Sequence, residues 1–410
     1  MSSETIDVQI ASRVWKAVGR ADWLPGQSVG YFGRSWGLPS MNILHVYKDY
    51  YPVVGGMENH IRMLAEALVR RGHQVTVLAT HPTARTHIEQ LNGVRVIKAG
   101  RLATISSAPL SLGLFAWMRR LQAEITHLHF PYPIGEMAYL LGGRSPRMVL
   151  TYHSDIVRQK YLLQLYKPIL YHLLSCADRI TVSNPNYIQS SPYLSPVAGK
   201  CVVIPHGTNL ERFAETTTVR HRAQELRLQH GTPLILFVGL LRYYKGLSFL
   251  IEAMSDIEAK LLVVGEGPMG EQWRDLVQRL GLGNRVTFLG RVSDDQLVAL
   301  YHSCDVFVLP AIHRSESWGA VQVEAMACGK PVVCTELGTG TSFVNVHDLT
   351  GIVVPPMDAP ALAAAVNCLL RDEPLRSIMG RQARARAMSE FSLSTMVDRV
   401  IALYGEVLGS

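Results

Sequence analysis

The sequence predicts an α/β protein with two facing Rossmann-like domains and a ligand-binding cleft between them. Its 410 residues exceed one ordinary hydrophobic core, and 48% apolar against 18% charged residues suit a globular chain. Short apolar strands alternate with helical stretches in two successive series. Because each parallel strand pair needs a crossover connection, this alternation indicates parallel, doubly wound sheets.

The first series begins after residues 1–40, which show no sustained period and which we interpret as an N-terminal arm. The domain that follows is predicted over 41–210 and opens with the strand Asn42–Val46. A loop containing Gly55 and Gly56 leads into a helix whose apolar residues recur at helical spacing. Further strands are predicted at 74–78, 94–97, 125–129, 148–152, 179–182 and 201–204.

The second series follows a polar segment, 212–231, which predicts a linker. Its domain is predicted over 220–390. We expect the C-terminal segment, 391–410, to form an amphipathic helix that can cross back to the first domain. The strands of this series are predicted at 234–238, 260–264, 285–289, 306–309, 331–335 and 351–354.

Targeting and membrane-spanning patterns do not occur in the sequence. No apolar run reaches the roughly 18 residues that a membrane span needs, and the first 40 residues lack the apolar core of a signal peptide. Six scattered cysteines without a CxxC pair suit reduced thiols. We therefore expect a cytoplasmic protein, with peripheral contact to the inner face of the plasma membrane as one option.

The net charge of +7 is concentrated in the first domain, where Lys and Arg exceed Asp and Glu by 9 over residues 41–210. Such a basic half suits nucleic acid, an anionic membrane face or an anionic substrate. Nucleic acid is the weakest of the three, because basic runs never exceed two residues and no DNA-reading motif occurs. Arg119 and Arg120 end an amphipathic stretch that suits an anionic leaflet, or equally a packed helix with a solvated basic end.

The most informative segment spans residues 306–330. An apolar strand ends at Pro310, a polar loop follows, and Trp318, Gly319 and Ala320 open a helix. A helix start directly after a buried parallel strand attracts anions, since its first N–H groups are unpaired and its dipole favours negative charge. Gly319 would let a phosphate approach the backbone. The pattern predicts a diphosphate site.

Glu316 and Glu324 flank this helix start. Because carboxylates repel phosphates, both are better explained as acceptors for hydroxyl groups on either side of a diphosphate, one on the transferred sugar and one on the ribose. Glu324 lies among apolar residues, where an unpaired charge would cost several kcal/mol. The alternative is a glutamate on a solvated helix face.

The chain resembles the retaining family-4 glycosyltransferases of GT-B fold through four motifs in the expected order. These are Gly55-Gly56-Met57-Glu58, His153 in Thr151-Tyr152-His153-Ser154-Asp155, Lys245-Gly246, and Glu316-x7-Glu324. The resemblance covers nearly all of residues 41–405. It implies retaining transfer from a nucleoside diphosphate sugar without a metal or another cofactor.

The resemblance also implies a role for each matched residue. Glu324 would hold the ribose hydroxyls, Glu316 the donor sugar and Lys245 the diphosphate. The loop glycines would approach the donor, and His153 would reach the sugar near the reacting centre. On this basis His153, Glu316 and Lys245 are the candidate catalytic residues.

The positions of these residues agree with such roles. Gly55 and Gly56 stand between a strand end and a helix, where their N–H groups can face a phosphate or simply form a tight turn. His153 follows a strand at the edge where ligands bind, although a structural histidine fits there too. With no Asp-x-Asp in the chain, Lys245 and the helix start must supply the charge that Mg²⁺ gives in other transferases.

Leu240 departs from the family pattern, which has an Arg after the glycine at this strand end. Either Arg242 replaces it beside Lys245 on the diphosphate, or the leaving group loses a charged donor worth on the order of 2–4 kcal/mol in the barrier. A catalytically weakened subunit of a glycan-assembly complex is therefore an alternative to an active enzyme.

A glycine motif, Gly265-x-Gly267-x-x-Gly270, matches the dinucleotide fingerprint locally. The next strand ends without an acidic residue for a ribose, so we do not expect NAD(P). In the resembling family the stretch around Val292 lies by the nucleotide base. The donor-binding residues are therefore predicted to be Gly55, Gly56, Arg242, Lys245, Val292, Glu316, Trp318, Gly319, Ala320 and Glu324.

The sequence around His153 and over 336–342 resembles family members that build bacterial surface glycans, often from GDP-mannose. We expect transfer of a hexose to a glycan or polyprenyl-linked acceptor; a UDP-sugar donor and a sugar-nucleotide epimerase of the same architecture are the alternatives. No carboxylate nucleophile stands at the expected place. We therefore favour a front-face reaction in which the leaving diphosphate takes the acceptor's proton.

Overall fold

The computed structural model describes residues 39–53, 55–105, 108–156 and 160–409. The predicted N-terminal arm, apart from its last two residues, lies outside these ranges. The described chain is built from two parallel sheets, each flanked by helices.

The first sheet lies in the N-terminal half of the described chain. Its strands, with a separate hairpin of β5 and β6, are β1 (Asn42–Val46), β2 (Gln74–His81), β3 (His87–Leu91), β4 (Val94–Gly100), β5 (Ala103–Ile105), β6 (Ala108–Leu110), β7 (Ile125–Phe130), β8 (Arg147–Tyr152), β9 (Arg179–Val182) and β10 (Cys201–Val203). Apart from β5 and β6, these strands form one sheet in the order β10-β9-β8-β7-β1-β2-β4-β3. All neighbouring strands in it are parallel except the edge pair β3 and β4, which is antiparallel. The chain direction across the sheet reverses between β1 and β7, which is where doubly wound folds bind ligands.

The helices of this half connect its strands. They are α1 (Gly56–Arg70), α2 (Leu112–Arg120), α3 (Pro133–Gly142), α4 (Lys160–Cys176) and α5 (Pro185–Ser190). Strand β7 is buried along its whole length although three of its six residues are Thr126, His127 and His129. The central sheet therefore carries polar side chains into the core.

The second sheet is parallel throughout its described strands. They are β11 (Leu234–Val238), β12 (Lys260–Val264), β13 (Val286–Gly290), β14 (Val306–Leu309), β15 (Val332–Thr335) and β16 (Gly351–Val354). The order is β13-β12-β11-β14-β15-β16, so the switch point falls between β11 and β14. Strand β11, buried on both faces, is a continuous apolar run, as expected for a central parallel strand.

The helices of the second half lie before, between and after its strands, and the last of them packs against the first half. They are α6 (Thr217–His230), α7 (Leu247–Ala253), α8 (Gly270–Arg279), α9 (Asp294–Ser303), α10 (Ala320–Ala327), α11 (Gly340–Val344), α12 (Ala359–Arg371), α13 (Glu373–Glu390) and α14 (Leu393–Gly409). The loop before α10 is positioned directly after the central strand β14.

The linker predicted over 212–231 is wrong, because most of this segment is helix α6. The Thr216 side chain caps the helix by accepting a hydrogen bond from the backbone N–H of Val219. Only Ala223 and Leu226 are buried, so the apolar stripe that anchors α6 is too narrow to stand out from its polar surroundings.

Helix α2 contains the basic stretch considered for membrane contact. Its apolar Leu114 and Met118 are fully buried in the first core, while Arg119 and Arg120 are exposed. This arrangement agrees with the packed helix that has a solvated basic end.

Helix α14 packs against α1 and contributes Val400 and Tyr404 to the first core. The chain passes between the halves twice, once near Thr208 and once near Phe391 on its way to α14, and the two connecting segments lie side by side. There the Thr208 N–H donates to Phe391 O at 2.8 Å, and the Leu393 N–H donates to Thr208 O at 2.9 Å. The two passages are thus joined by backbone hydrogen bonds.

Candidate active site

Gly319 forms the N-cap of helix α10, with φ 74° and ψ 54° in the left-handed region. A Cβ at this position would lie 2.5 Å from Gln322 Nε2 and 2.9 Å from Leu309 Cδ2. Both the backbone angle and the close packing therefore require glycine. Helix α10 begins directly after the loop ending in Trp318 and Gly319, which itself follows the carboxyl end of β14, and the first N–H groups of a helix have no partners within it.

Lys245 and Glu316 form a buried ion pair beside this helix start. Lys245 Nζ lies 2.5 Å from Glu316 Oε2, with side-chain exposures of 11% and 10%. The carboxylate oxygen has no hydrogen-bond partner of good angular geometry among the described residues. The pair places an ammonium and a carboxylate side by side near the start of α10.

Glu324 lies in α10, mostly buried, and accepts a hydrogen bond from the Tyr301 hydroxyl at 2.7 Å. Burial raises the pKa of Glu324, and the Tyr301 hydrogen bond opposes this rise. Tyr301, on α9, was not predicted as a site residue, because a lone tyrosine in an apolar helix gives no signal of a polar partner. The phenol leaves acceptor capacity on the carboxylate for a further hydroxyl donor.

His153 directly follows β8 and belongs to a group of imidazole rings that contact one another, some stacked and some edge to face. We call this group the histidine cluster: His45, His60, His127, His129, His153 and His206. Burial lowers the pKa of every member, to about 3 for His45 and about 4 for His206. The cluster is therefore neutral near pH 7.

The histidine cluster reaches the second half of the molecule at Trp318. The His153 and His206 ring centroids are 5.6 Å apart, and the His206 and Trp318 centroids are 5.3 Å apart. His153 is thus connected, through one imidazole, to the loop that carries Glu316. Further contacts across the halves are Arg314 to Ser190 at 2.9 Å and Asn186 to Thr339 O at 2.8 Å.

The cluster went unpredicted apart from His153. A signal did exist, because His127 and His129 alternate on β7 and therefore share one face of the sheet. Two overlapping triads, His45-His127-His129 and His60-His129-His153, have ring nitrogens within 4.8 Å of one another, which is compact enough for a metal ion. Neither triad includes a carboxylate.

The remaining predicted donor residues make fewer side-chain contacts. Gly55 caps α1, and a Cβ there would lie 2.2 Å from Glu58 Oε2, whereas Gly56 has open space. The Arg242 side chain is exposed, and its carbonyl accepts from the Lys245 N–H at 3.0 Å. Val292 is partly buried against the second core.

The glycine motif that mimics a dinucleotide fingerprint has a packing explanation. A Cβ at Gly265, where φ is 124°, would lie 2.0 Å from Gly239 O, and one at Gly267 would lie 2.6 Å from Leu241 O. The two loops at the carboxyl ends of β11 and β12 therefore pack backbone to backbone. Glycines are needed for that contact.

Sequence comparison assigns both halves to known families. Residues 54–212 match the family described as Glycosyltransferase Family 4, and residues 220–386 match Glycosyl transferases group 1. The chain belongs to glycosyltransferase family 4. The resemblance inferred from the four motifs is confirmed, and the protein is a glycosyltransferase.

Two bacterial relatives match along most of this glycosyltransferase. The O-antigen chain mannosyltransferase C of Escherichia coli is 36% identical over 376 residues, which cover 90% of this chain and 100% of that protein. The D-rhamnosyltransferase WbpZ of Pseudomonas aeruginosa is 36% identical over 355 residues, which cover 86% and 92%.

Solved structures share the fold of the glycosyltransferase. The sucrose-phosphate synthase of Thermosynechococcus elongatus superimposes with a TM-score of 0.72 at 26% identity, over 90% of this chain and 99% of that one. Anabaena HepE, in complex with UDP, gives 0.70 at 22% identity, over 89% and 100%. The predicted GT-B class is confirmed. In the part of the chain that the structure describes, no helix is both long and apolar enough to cross a membrane.

Proposed function

We propose that this glycosyltransferase moves a hexose, with retention and without a metal, from a nucleoside diphosphate sugar of the GDP-mannose type to a glycan or polyprenyl-linked acceptor of a surface polysaccharide. The observation that supports this most directly is the Lys245–Glu316 pair, 2.5 Å apart at the start of α10. It combines a phosphate-binding cation, a hydroxyl acceptor and free helix N–H groups in one place.

In the proposed complex the diphosphate lies against Lys245 and the N-terminus of α10. Glu324 accepts from the ribose hydroxyls and Glu316 from the sugar. The acceptor oxygen bonds to the anomeric carbon on the face from which the phosphate oxygen departs, and the acceptor proton passes to that phosphate oxygen. Lys245 and the helix N–H groups stabilise the charge that develops on the leaving diphosphate.

His153 would meet the sugar from the first half, since it connects through His206 to Trp318. Its burial keeps the imidazole neutral, so it would act as a hydrogen-bonding group rather than as a cation. Gly55 and Gly56 would face the donor from the start of α1.

The choice of a GDP-mannose-type donor is supported by the relative named as an O-antigen chain mannosyltransferase. The relative named as a D-rhamnosyltransferase makes a deoxyhexose the nearest variant. A UDP-sugar is the second candidate, because a protein of the same fold is known in complex with UDP.

A lipid-linked acceptor would bring the enzyme to an anionic membrane face. The exposed Arg119 and Arg120 at the end of α2, together with the basic balance of residues 41–210, would supply electrostatic attraction without insertion. Binding to anionic vesicles should then disappear at high salt.

The test is nucleotide release from GDP-mannose, GDP-rhamnose, UDP-glucose and UDP-N-acetylglucosamine, with and without a polyprenyl-linked glycan. We expect acceptor-dependent release from a GDP-sugar and an α-configured product by NMR. Release without acceptor would favour an epimerase or hydrolase, and turnover of only UDP-sugars would reject the GDP assignment.

The alternative of a weakened subunit can be tested in the same assay with two variants. If Arg242 serves in place of the arginine absent at Leu240, Arg242→Ala should lower kcat by about 10²-fold while Leu240→Arg changes it little. A wild-type protein that binds GDP without turnover, but gains activity as Leu240→Arg, would identify a weakened catalyst.

A further inference from the structure

Three buried imidazoles of the histidine cluster form a linear chain of hydrogen bonds across the first sheet. His45 Nδ1 lies 3.0 Å from His129 Nε2, and His129 Nδ1 lies 3.2 Å from His153 Nε2. The members come from adjacent strands β1, β7 and the end of β8. Both nitrogens of the central ring are therefore engaged by neighbouring rings.

The tautomers of the three rings depend on one another. Burial lowers the pKa of each, so each neutral ring has one N–H and one lone pair. If His45 donates from Nδ1, then His129 must accept at Nε2 and donate from Nδ1, and His153 must accept at Nε2. Reversing one ring reverses all three.

The His45 end of this hydrogen-bond chain determines which way its three N–H groups point. His45 Nε2 is buried and has no hydrogen-bond partner among the described residues. An unpaired buried N–H is rarer in proteins than an unpaired buried acceptor, so this nitrogen carries the lone pair. The proton of His45 is then on Nδ1, pointing at His129.

We propose that His45 and His129 are positioning residues that fix His153 as its Nδ1–H tautomer. His153 Nε2 is thereby occupied as an acceptor, and Nδ1–H is the group left for a bound ligand. The role that follows rests on the proposed function: His153 donates a hydrogen bond to an oxygen of the donor sugar and does not remove a proton from the acceptor.

The neighbouring His127 is outside this chain, which makes it a matched control. Its Nδ1 contacts the Tyr404 hydroxyl at 2.5 Å and its Nε2 contacts Thr151 Oγ1 at 2.6 Å. It lies two residues from His129 on the same buried strand, and their rings stack with centroids 4.6 Å apart. Replacing His127 by Phe changes the same stack of rings as replacing His129 by Phe but leaves the His45–His129–His153 bonds.

Hydrogen bonding explains the geometry better than a metal ion held by the same rings. Each of the two close nitrogen pairs needs a proton between its members, whereas metal ligation needs both lone pairs directed at the ion. A divalent ion would also be buried without a carboxylate in either triad. Metal content of the purified protein distinguishes the two.

The first test is ring ¹⁵N NMR of the full-length protein labelled at histidine, with signals assigned by single substitutions. We expect all three rings to be neutral and protonated at Nδ1, and His127→Phe to leave the His153 signals unchanged. His153 protonated at Nε2, or stoichiometric zinc, nickel or copper bound by the rings, would overturn the proposal. This readout needs no activity, so it stands apart from the proposed function.

The second test is kinetic. His129→Phe should lower kcat about 10–100-fold with little change in the donor KM, whereas His127→Phe, if folded, should keep the wild-type kcat. His129→Asn, which restores an N–H near the former Nδ1, should recover part of the loss. Equal kcat values for the two Phe variants with matched melting temperatures would reject the positioning role. If His153→Phe itself were fully active, the failure would belong to the proposed function instead.

Discussion

Glu324 is a mostly buried carboxylate whose hydrogen-bond partner among the described residues is the Tyr301 hydroxyl. Burial raises its pKa and the phenol opposes the rise, so the two effects together set the pH at which the carboxylate ionises. Only the ionised form accepts from two ribose hydroxyls without offering a competing donor. Donor binding should therefore weaken as the pH falls through this pKa.

Tyr301→Phe tests that balance. Removing the hydrogen bond raises the pKa of Glu324 further, so the acidic limb of 1/KM for the donor should move to higher pH. Glu324→Gln should raise KM about 10–100-fold, because it replaces a charged acceptor, and should abolish the limb. The donor KM of each variant is measured across pH 5–8, with the exposed Tyr243→Phe as control. An acidic limb that does not shift in Tyr301→Phe would count against the ribose role of Glu324.

The sequence predicted Glu316, Gly319, Glu324 and Lys245 as site residues because each stands in a recognisable strand–loop–helix context. The Lys245–Glu316 contact was not predictable, since it joins loops after two different strands, β11 and β14, whose adjacency depends on the sheet order. The histidine cluster was missed for the same reason. Apart from His127 and His129, its members are far apart in sequence and meet only because the fold brings their strands, loops and helix α1 together.

At the scale of elements, the first turn of α3 contains an unusual acid. Glu136 is fully buried, and its Oε1 accepts from the Tyr132 N–H at 2.6 Å while Oε2 has no partner among the described residues. Burial raises the pKa of Glu136 from 4.5 to about 8. The folded protein thus keeps a proton that the unfolded chain releases.

This difference predicts a falling stability between about pH 4.5 and pH 8, because the folded state binds the extra proton throughout that window. Glu136→Gln removes the titration and keeps an oxygen for Tyr132. The variant should match wild type near pH 5 and exceed it near pH 8 by on the order of a few kcal/mol. Thermal unfolding at both pH values measures this, with exposed Glu373→Gln as the control; a parallel loss in Glu136→Gln would contradict it.

Elements with strong periodicity were predicted and those with weak patterns were not. Strands β11 and β14 are short apolar runs, whereas β3 has an almost fully exposed sequence and lies at the sheet edge. Its pairing with β4 is decided by backbone hydrogen bonds rather than by an apolar face. Helix α6 was missed because two buried residues gave it too little signal.

At the scale of the whole molecule, the C-terminal helix α14 stabilises the half that contains the first sheet. Tyr404 of α14 is fully buried in the first core and its hydroxyl lies 2.5 Å from His127 Nδ1. Arg71 of the first half pairs with Asp398 at 2.6 Å, but both are exposed, so this pair contributes little. The buried contact is the stronger connection.

Tyr404→Phe should therefore destabilise the first half, by about 1–3 kcal/mol, because it leaves a buried His127 nitrogen unpaired. Tyr171→Phe, at a half-exposed position, should stay within about 0.5 kcal/mol of wild type. Melting curves of the three proteins provide the measurement. Equal melting temperatures would show that α14 is held by its apolar face alone.

The joined passages at Thr208 and Phe391 have a mechanical consequence. Because the two connecting segments are bonded side by side, they must bend together. A rotation of one half against the other would therefore occur at this crossing, while twisting and sliding would be resisted. In the proposed reaction cycle, opening for substrate entry and closing over the donor would then follow one path. The same crossing would return His153 and Glu316 to the same relative position after each opening.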